Sequence, residues 1–177
     1  MSNSDMPGTI LVAIDSSHNS MLAAGVGARM ARLLNAHLGL IHVLSLPEQS
    51  FWGVVEARMK DEIRVEAEQR LGEIAAKMHD VCDILPEFFI VEGFPEEEIL
   101  KVVAADPSII MVIAGRQGVA NEKRSHLRLR RAQGHVTTRL SEQLKIPLLV
   151  VPPDVPLSHI CPALAEMQQA SPDSTDR

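Results

Sequence analysis

Three glycines and a cluster of arginines lie in one stretch of this chain, residues 114–138, which reads AGRQGVANEKRSHLRLRRAQGHVTT. Gly115 and Gly118 follow an apolar run, and Gly134 precedes a segment with helical spacing. Glycines at a strand exit and at a helix start allow backbone N–H groups to point at an anion. The spacing therefore predicts a phosphate site formed by the two ends of this stretch.

The donors in this stretch are of three kinds. Backbone N–H groups near Gly134, His135 and Val136 lie where the helix would begin, at the positive end of its dipole. The hydroxyls of Thr137 and Thr138 add side-chain donors, and the arginines between the glycines could neutralise phosphate charge. A basic loop held in solvent would have the same sequence, so this second interpretation stays open.

The charge of the chain is concentrated in this stretch. The formal net charge is −6, yet residues 119–139 hold six basic residues and one acid, which leaves −11 for the rest of the chain. A negative total argues against general nucleic-acid binding. The segment 123–131 is the basic part, and it could face either a phosphate or an acidic protein surface.

Two further positions could contact a ligand. Asp15 ends an apolar run and is followed by Ser16 and Ser17, so either ligand contact or helix capping by Asp15 or Ser16 fits the spacing. Gly93 and Pro95 form a turn after another apolar run, and a turn without a ligand is the simpler interpretation. The P-loop, the dinucleotide fingerprint, and the common hydrolase and metalloprotease motifs are absent. We therefore expect neither catalytic residues nor metal ligands.

Short apolar runs alternate with segments of helical periodicity, and these elements must position the glycines. Strands are predicted at residues 9–15, 37–44, 88–93, 109–114 and 147–151. Helices are predicted at residues 20–34, 54–81, 95–105 and 134–144. Strands that are apolar throughout belong to a parallel sheet covered on both faces, so the fold class is doubly wound α/β. Ligands of such sheets bind at the carboxyl ends of the strands.

The predicted domain covers residues 9–152. Residues 1–8 are expected to be flexible, and residues 153–177, rich in Pro, Ser, Ala and Asp, are expected to be mostly disordered. No apolar run approaches the ~20 residues of a membrane span, and the polar start lacks a secretory signal, so we expect a cytoplasmic protein. Cys82 and Cys161 are far apart and lie in no ligand motif, which indicates neither a disulfide nor a zinc site.

Four sequence segments follow one another along the chain: AIDSS, EGFPEEEI, IIMVIAGRQG and GHVTTRLSEQLKIPLLVVP. Together they resemble the universal stress protein family over nearly all of residues 9–152. The resemblance implies a single domain with a five-stranded parallel sheet of flavodoxin-like, adenine nucleotide α-hydrolase-like type. It also implies a homodimer formed through the last strand and, in one branch of the family, ATP binding.

Carried across residue by residue, the resemblance implies a site for ATP or another adenine nucleotide, with or without Mg²⁺. Its implied residues are Ala13, Asp15, Val43, Gly93, Gly115, Arg116, Gly118, Gly134, His135, Val136 and Thr137. Two features depart from the G-x2-G-x9-G-[ST] pattern of the ATP-binding branch. The spacer 119–133 holds fifteen residues instead of nine, and His135 replaces the hydroxyl residue.

The resemblance predicts a stress-response regulatory protein that binds nucleotide and has no efficient catalytic activity. Two alternatives remain open. One is a nucleotide-free interaction module that contacts an unidentified protein partner through residues 123–131. The other is slow ATP hydrolysis or self-phosphorylation at a hydroxyl such as Thr137 or Ser125.

Overall fold

Strands and helices alternate along the chain from its first element to its last. The computed structural model describes residues 7–15, 17–44, 53–116 and 136–156. The strands are β1 (Thr9–Ile14), β2 (His37–Leu44), β3 (Glu87–Glu92), β4 (Ile109–Gly115) and β5 (Leu148–Val151). The helices are α1 (His18–Leu34), α2 (Gly53–Cys82), α3 (Pro95–Ala105) and α4 (Val136–Gln143).

The five strands form one parallel sheet with the order β3-β2-β1-β4-β5. The predicted fold class, a single doubly wound α/β domain with five parallel strands, is confirmed. The strand order differs from the 2-1-3-4-5 order of flavodoxin, because here the order reverses between β1 and β4. The carboxyl ends of β1 and β4 are therefore the place where this topology opens a crevice.

Two helices cover each face of the sheet, because the strands have apolar side chains on both sides. Ile10, Val12 and Ile14 of β1 pack with residues of α1 and α2 in one core cluster. Leu11 of β1 belongs to a second cluster with residues of α3 and α4, and Ala13 packs against it. Burial on both sides explains why β1 reads as a continuous apolar run.

Helix α1 lies directly against β1. A Cβ added to Gly27 would come within 2.4 Å of the Val12 side chain, so only glycine permits this approach. Gly27 therefore serves the packing of α1 on β1. The helix ends at Asn35, whose left-handed backbone (φ 50°) closes the last turn.

The element bounds predicted from the sequence agree with the observed ones to within two residues. The agreement is close because each apolar run is bounded by charged, proline or glycine residues. Most of residues 1–8 and 153–177 lies outside the described part of the chain, so flexibility of these ends stays a prediction. Val155, which is described, packs against the core cluster of α1 and α2. Within the described ranges, no helix combines the length and the apolarity needed to span a bilayer.

Candidate functional site

The carboxyl ends of β1 and β4 meet beside two small side chains. Ala13 of β1 is paired with Ala114 of β4, and their register places both on the face covered by α3 and α4. Neighbouring positions on that face carry larger side chains, such as Leu11 and Val112. Small side chains therefore lie on this face at the switch point, where ligands of doubly wound folds bind.

Asp15 begins the turn that leads from β1 into α1. Its Oδ1 accepts a hydrogen bond from the backbone N–H of Ser17 at 2.8 Å, and its carbonyl accepts one from Ser20 Oγ at 2.8 Å. Ser17 is the N-cap of α1, and its side chain accepts from the N–H of Ser20. Capping by Asp15 is therefore wrong, while Ser16 lies outside the described residues. The carboxylate of Asp15 instead stabilises the turn and is exposed at this edge.

The chain leaves β4 through Gly115 and Arg116, and this exit is tightly held. The N–H of Arg116 donates to Val151 O of β5 at 2.7 Å. The carbonyl of Arg116 accepts from Nδ2 of Asn19, in α1, at 2.7 Å. A Cβ on Gly115 would lie 2.6 Å from Asn19 O, so glycine is required here by the approach of α1.

The turn after β3 is also built around a glycine. Gly93 has φ +145°, a conformation that L side chains rarely adopt, and its N–H donates to Leu44 O at 3.1 Å. A Cβ on Gly93 would meet Glu98 Oε1 at 2.8 Å. Glu98 in turn accepts from Lys101 Nζ at 2.6 Å, and this hydrogen bond, with the charge of Glu98, raises the pKa of Lys101.

The N-terminus of helix α4 lies at the same end of the sheet, where the strands have their carboxyl ends. Val43, Val136 and Ala13 all pack against the core cluster under α3 and α4, and Thr137 is half-buried in the first turn of α4. The first N–H groups of a helix have no partner within it, so this end offers donors to an anion. Arg139 holds α4 to α3 through Glu96, at 2.9 Å.

The described members of the predicted site thus lie at the carboxyl ends of the strands. Three of them, Ala13, Val43 and Val136, pack against the core cluster under α3 and α4. Gly115 and Arg116 lie at the exit of β4, while Gly93 lies in the turn after β3. Gly118, Gly134 and His135 lie outside the described residues, as does the basic segment 123–131. Their roles remain predictions.

Sequence reasoning missed three residues that shape this edge: Asn19, His42 and Glu98. His42 Nδ1 lies 2.8 Å from Ile14 O, so its ring hydrogen-bonds the residue before Asp15. Asn19 contacts a residue 97 positions away, and no local spacing signals such a partner. In the sequence, Glu98 is one of three acids in the first turn of α3. Only the fold distinguishes it from Glu97, by placing its side chain beside Gly93.

A cavity of about 140 Å³ lies near the same strand ends but among different residues. Its walls come from β1, β2 and α2: Ile14, His42, Leu44, Ile63, Glu66, Ala67, Arg70 and Leu71. None of these is a predicted nucleotide residue. The predicted site uses the face of α3 and α4, so the position of the strand ends, rather than this cavity, defines the candidate site.

Side chains that could bind a metal ion are scattered in the described part of the chain. Across residues 7–15, 17–44, 53–116 and 136–156 there is no group of three or more His, Cys, Asp or Glu side chains arranged to hold a metal ion. The donors described at the carboxyl end of the sheet are N–H and hydroxyl groups, which suit an anion.

Comparison with known proteins gives a consistent result. The sequence profile of the universal stress protein family matches residues 6–152. A search of curated proteins found no match.

Solved structures share the fold at low identity. The universal stress protein UspA from Lactobacillus plantarum has a TM-score of 0.68 at 19% identity, covering 82% of this chain and 98% of its own. A universal stress protein from Archaeoglobus fulgidus in complex with dAMP has a TM-score of 0.58 at 17% identity, covering 82% and 97%. A universal stress protein in complex with cAMP has a TM-score of 0.54 at 16% identity, covering 83% and 98%.

Proposed function

The chain belongs to the universal stress protein family, and on that premise we propose that it binds an adenine nucleotide at the carboxyl edge of its sheet. In this proposal it is a homodimeric, cytoplasmic stress-response regulator whose nucleotide occupancy alters its contacts with a partner. ATP is the ligand that we expect first, with or without Mg²⁺.

The observation that carries this proposal is the arrangement at the switch point between β1 and β4. Ala13 and Ala114 have small side chains on the face of α3 and α4, where Val43 and Val136 could supply apolar contacts for a planar base. The first turn of α4, with Thr137, offers N–H and hydroxyl donors for phosphate. An apolar floor beside convergent donors is the chemistry that a nucleotide needs.

The choice of an adenine nucleotide rests on the family and on two proteins of the same fold. Those structures contain dAMP and cAMP. Both ligands join an adenine base to a single phosphate, and the phosphate cradle predicted here would accept either a single phosphate or a chain. Titration of the protein with ATP, AMP and cAMP in parallel will rank these ligands.

Efficient catalysis is not part of the proposal. Hydrolysis needs a general base near the γ-phosphate, and no residue set in the sequence resembles one. We expect release of phosphate from ATP to be indistinguishable from a buffer blank. Turnover that the change Asp15→Ala abolishes would instead establish slow hydrolysis, and labelled phosphate on Thr137 or Ser125 would establish self-phosphorylation.

Homodimerisation through β5 is supported by the apolar surface along that strand. Leu149 and Val150 of β5 are 37% and 36% exposed. In the described part of the chain, β5 pairs with β4 on one side only. A short apolar strand with an unpaired edge favours association with a second copy.

The test of the nucleotide proposal starts from the protein as purified. Mass spectrometry and ultraviolet absorbance of the denatured protein should reveal an adenine nucleotide, and calorimetric titration of the stripped protein with Mg-ATP should give a saturable signal. Absence of both signals would overturn the proposal.

A second candidate is a nucleotide-free interaction module, and the observation that favours it is the basic segment 123–131 in a chain of net charge −6. Contact of this segment with an acidic partner would weaken steeply with salt, since exposed charges are screened. Binding of this kind in a protein without nucleotide would favour this candidate over the first.

A further inference from the structure

Asn19 contacts the exit of β4 in two ways, although it belongs to the first turn of α1. Its Nδ2 donates to Arg116 O at 2.7 Å. Its own carbonyl lies 2.6 Å from the position that a Cβ on Gly115 would take. The first turn of α1 and the end of β4 are therefore fitted to each other.

Arg116 is the last described residue before the glycine and arginine stretch, and both of its backbone polar groups are bonded. Its N–H donates to Val151 O and its carbonyl accepts from Asn19 Nδ2. One bond ties the residue to β5 and the other to α1. These two bonds fix the direction in which the chain leaves the sheet, and the N–H of Arg116 is not available to a ligand.

The side-chain amide of Asn19 explains why this position does not carry an acid. The first turn of a helix favours acidic side chains, because its dipole places positive charge there, yet α1 has none in that turn. A carboxylate at position 19 would suit the helix but would direct an acceptor at the carbonyl of Arg116. Only a donor satisfies that carbonyl, which explains an amide at this position.

The same turn also carries the aspartate of the site. Asp15 O accepts from Ser20 Oγ, and Asp15 Oδ1 accepts from Ser17 N. Ser17 and Ser20 thus hold Asp15 in place, and Asn19, in the same turn, holds the exit of β4.

We propose that Asn19 is a positioning residue: it fixes the path of the chain through Gly115 and Arg116 relative to Asp15, and so shapes the β4 side of the proposed ligand site. The part of this inference that concerns the ligand rests on the proposed function. The part that concerns the path of the chain does not, and the two parts can be tested separately.

The ligand-free test uses amide hydrogen exchange, followed by NMR, in the wild type, Asn19→Ala and Asn19→Asp. We expect the amide of Arg116 to exchange roughly fivefold faster or more in both variants. Its own bond to Val151 O remains, but the carbonyl of the same residue loses its donor, Asn19 Nδ2, and with it the tie to α1. Asn19→Asp keeps the size of the side chain, and its charge at the helix start offsets part of the lost hydrogen bond, so its global stability should fall less than that of Asn19→Ala. Arg29→Ala, at an exposed position of α1, is the matched control and should leave the amide of Arg116 unchanged.

The second measurement is the affinity for Mg-ATP by calorimetry. Asn19→Ala removes the donor without adding charge, and we expect its Kd to rise about fivefold to twentyfold, as loss of one aligned contact would produce. Arg29→Ala should bind as the wild type does. An unchanged Kd in Asn19→Ala would overturn the role of Asn19 in ligand positioning.

The outcomes separate the two proposals. Wild-type protein that binds no adenine nucleotide would overturn the proposed function, and the exchange rates alone would then decide whether Asn19 fixes the exit of β4. An amide of Arg116 that exchanges at the wild-type rate in Asn19→Asp would overturn the inference. Equal acceleration at every amide of the sheet would overturn it too, since that would report a loss of global stability.

Discussion

Gly93 and Gly115 were both singled out in the sequence as ligand-site glycines, and the structure gives each a separate physical reason. Gly93 is required by its backbone conformation, with φ +145°, while the atoms nearest to an added Cβ belong to the flexible side chain of Glu98. Gly115 is required by the backbone of α1, because its missing Cβ makes room for Asn19 O. Each glycine therefore shapes the edge of the sheet whether or not a ligand is bound.

Gly93→Ala should destabilise the protein by about 1–3 kcal/mol, the usual cost of holding a non-glycine residue in such a conformation. Gly72→Ala is a matched control, because Gly72 lies inside α2 with nothing within 4 Å of its added Cβ. There the change should stabilise the helix by about 0.5–1 kcal/mol. Urea denaturation of both variants measures the difference, and equal effects of the two changes would contradict this account.

Gly115→Ala should both destabilise the protein and displace the exit of β4. The added methyl would meet a backbone carbonyl at 2.6 Å, which cannot rotate away, so overpacking of about 1–3 kcal/mol is expected. If the proposed site is correct, the Kd for Mg-ATP should rise in the same variant. Denaturation and calorimetry on one preparation test both effects, and wild-type stability would show that the contact is relieved without cost.

At the scale of elements, the tie between α3 and α4 sets the position of the helix whose N-terminus faces the proposed phosphate. Arg139 of α4 bonds Glu96 of α3, and the side chain of Glu96 is only 13% exposed. A charge this sheltered from water is more strongly coupled to its partner than an exposed one. Glu97, in the same turn, is exposed.

Glu96→Gln should therefore cost more stability than Glu97→Gln. Both changes remove one favourable charge from the first turn of α3, worth about 0.3–1 kcal/mol, but only Glu96→Gln also weakens the contact with Arg139. The expected excess for Glu96→Gln is about 1 kcal/mol. A double-mutant cycle with Arg139→Met measures the coupling, and a coupling of zero would show that the tie between α3 and α4 adds nothing.

The elements could be predicted from the sequence because their signals are local. Pro95 and three glutamates identify the start of α3, and the apolar run of β2 ends where it was expected. The strand order could not be predicted in the same way, since it depends on which strands pair across long stretches of chain. The local sequence around Ala13 and Asp15 would be the same in a ligand site and in an ordinary turn. A ligand role for these two residues could therefore not be predicted from local signals.

The site was predicted only in part for the same reason. Family resemblance supplied Ala13, Val43 and Val136, which the fold then gathers on one core cluster. It did not supply Asn19 or His42, because each acts through a backbone carbonyl far away in sequence: Arg116 O for Asn19 and Ile14 O for His42. Every residue has a backbone carbonyl, so the residue type of the partner does not indicate such a hydrogen bond.

At the scale of the whole molecule, the two edges of the sheet offer a test of the proposed dimer. Val150→Lys, on β5, should convert the dimer to a monomer, because a charge on an exposed edge strand opposes pairing. Phe88→Lys is the matched control at the opposite edge, on β3, where Phe88 is 40% exposed. Sedimentation equilibrium measures both variants. Dissociation by Phe88→Lys alone would place the interface on β3.

The bond from Arg116 N–H to Val151 O joins the proposed dimer strand to the entrance of the proposed ligand loop. If pairing of β5 with a second copy stabilises that bond, then assembly and ligand binding are thermodynamically linked, and each must strengthen the other by the same factor. The apparent Kd for nucleotide should then fall as protein concentration rises through the dimerisation range. In Val150→Lys it should be independent of concentration, so the amount of this protein in a cell would itself tune its sensitivity to nucleotide.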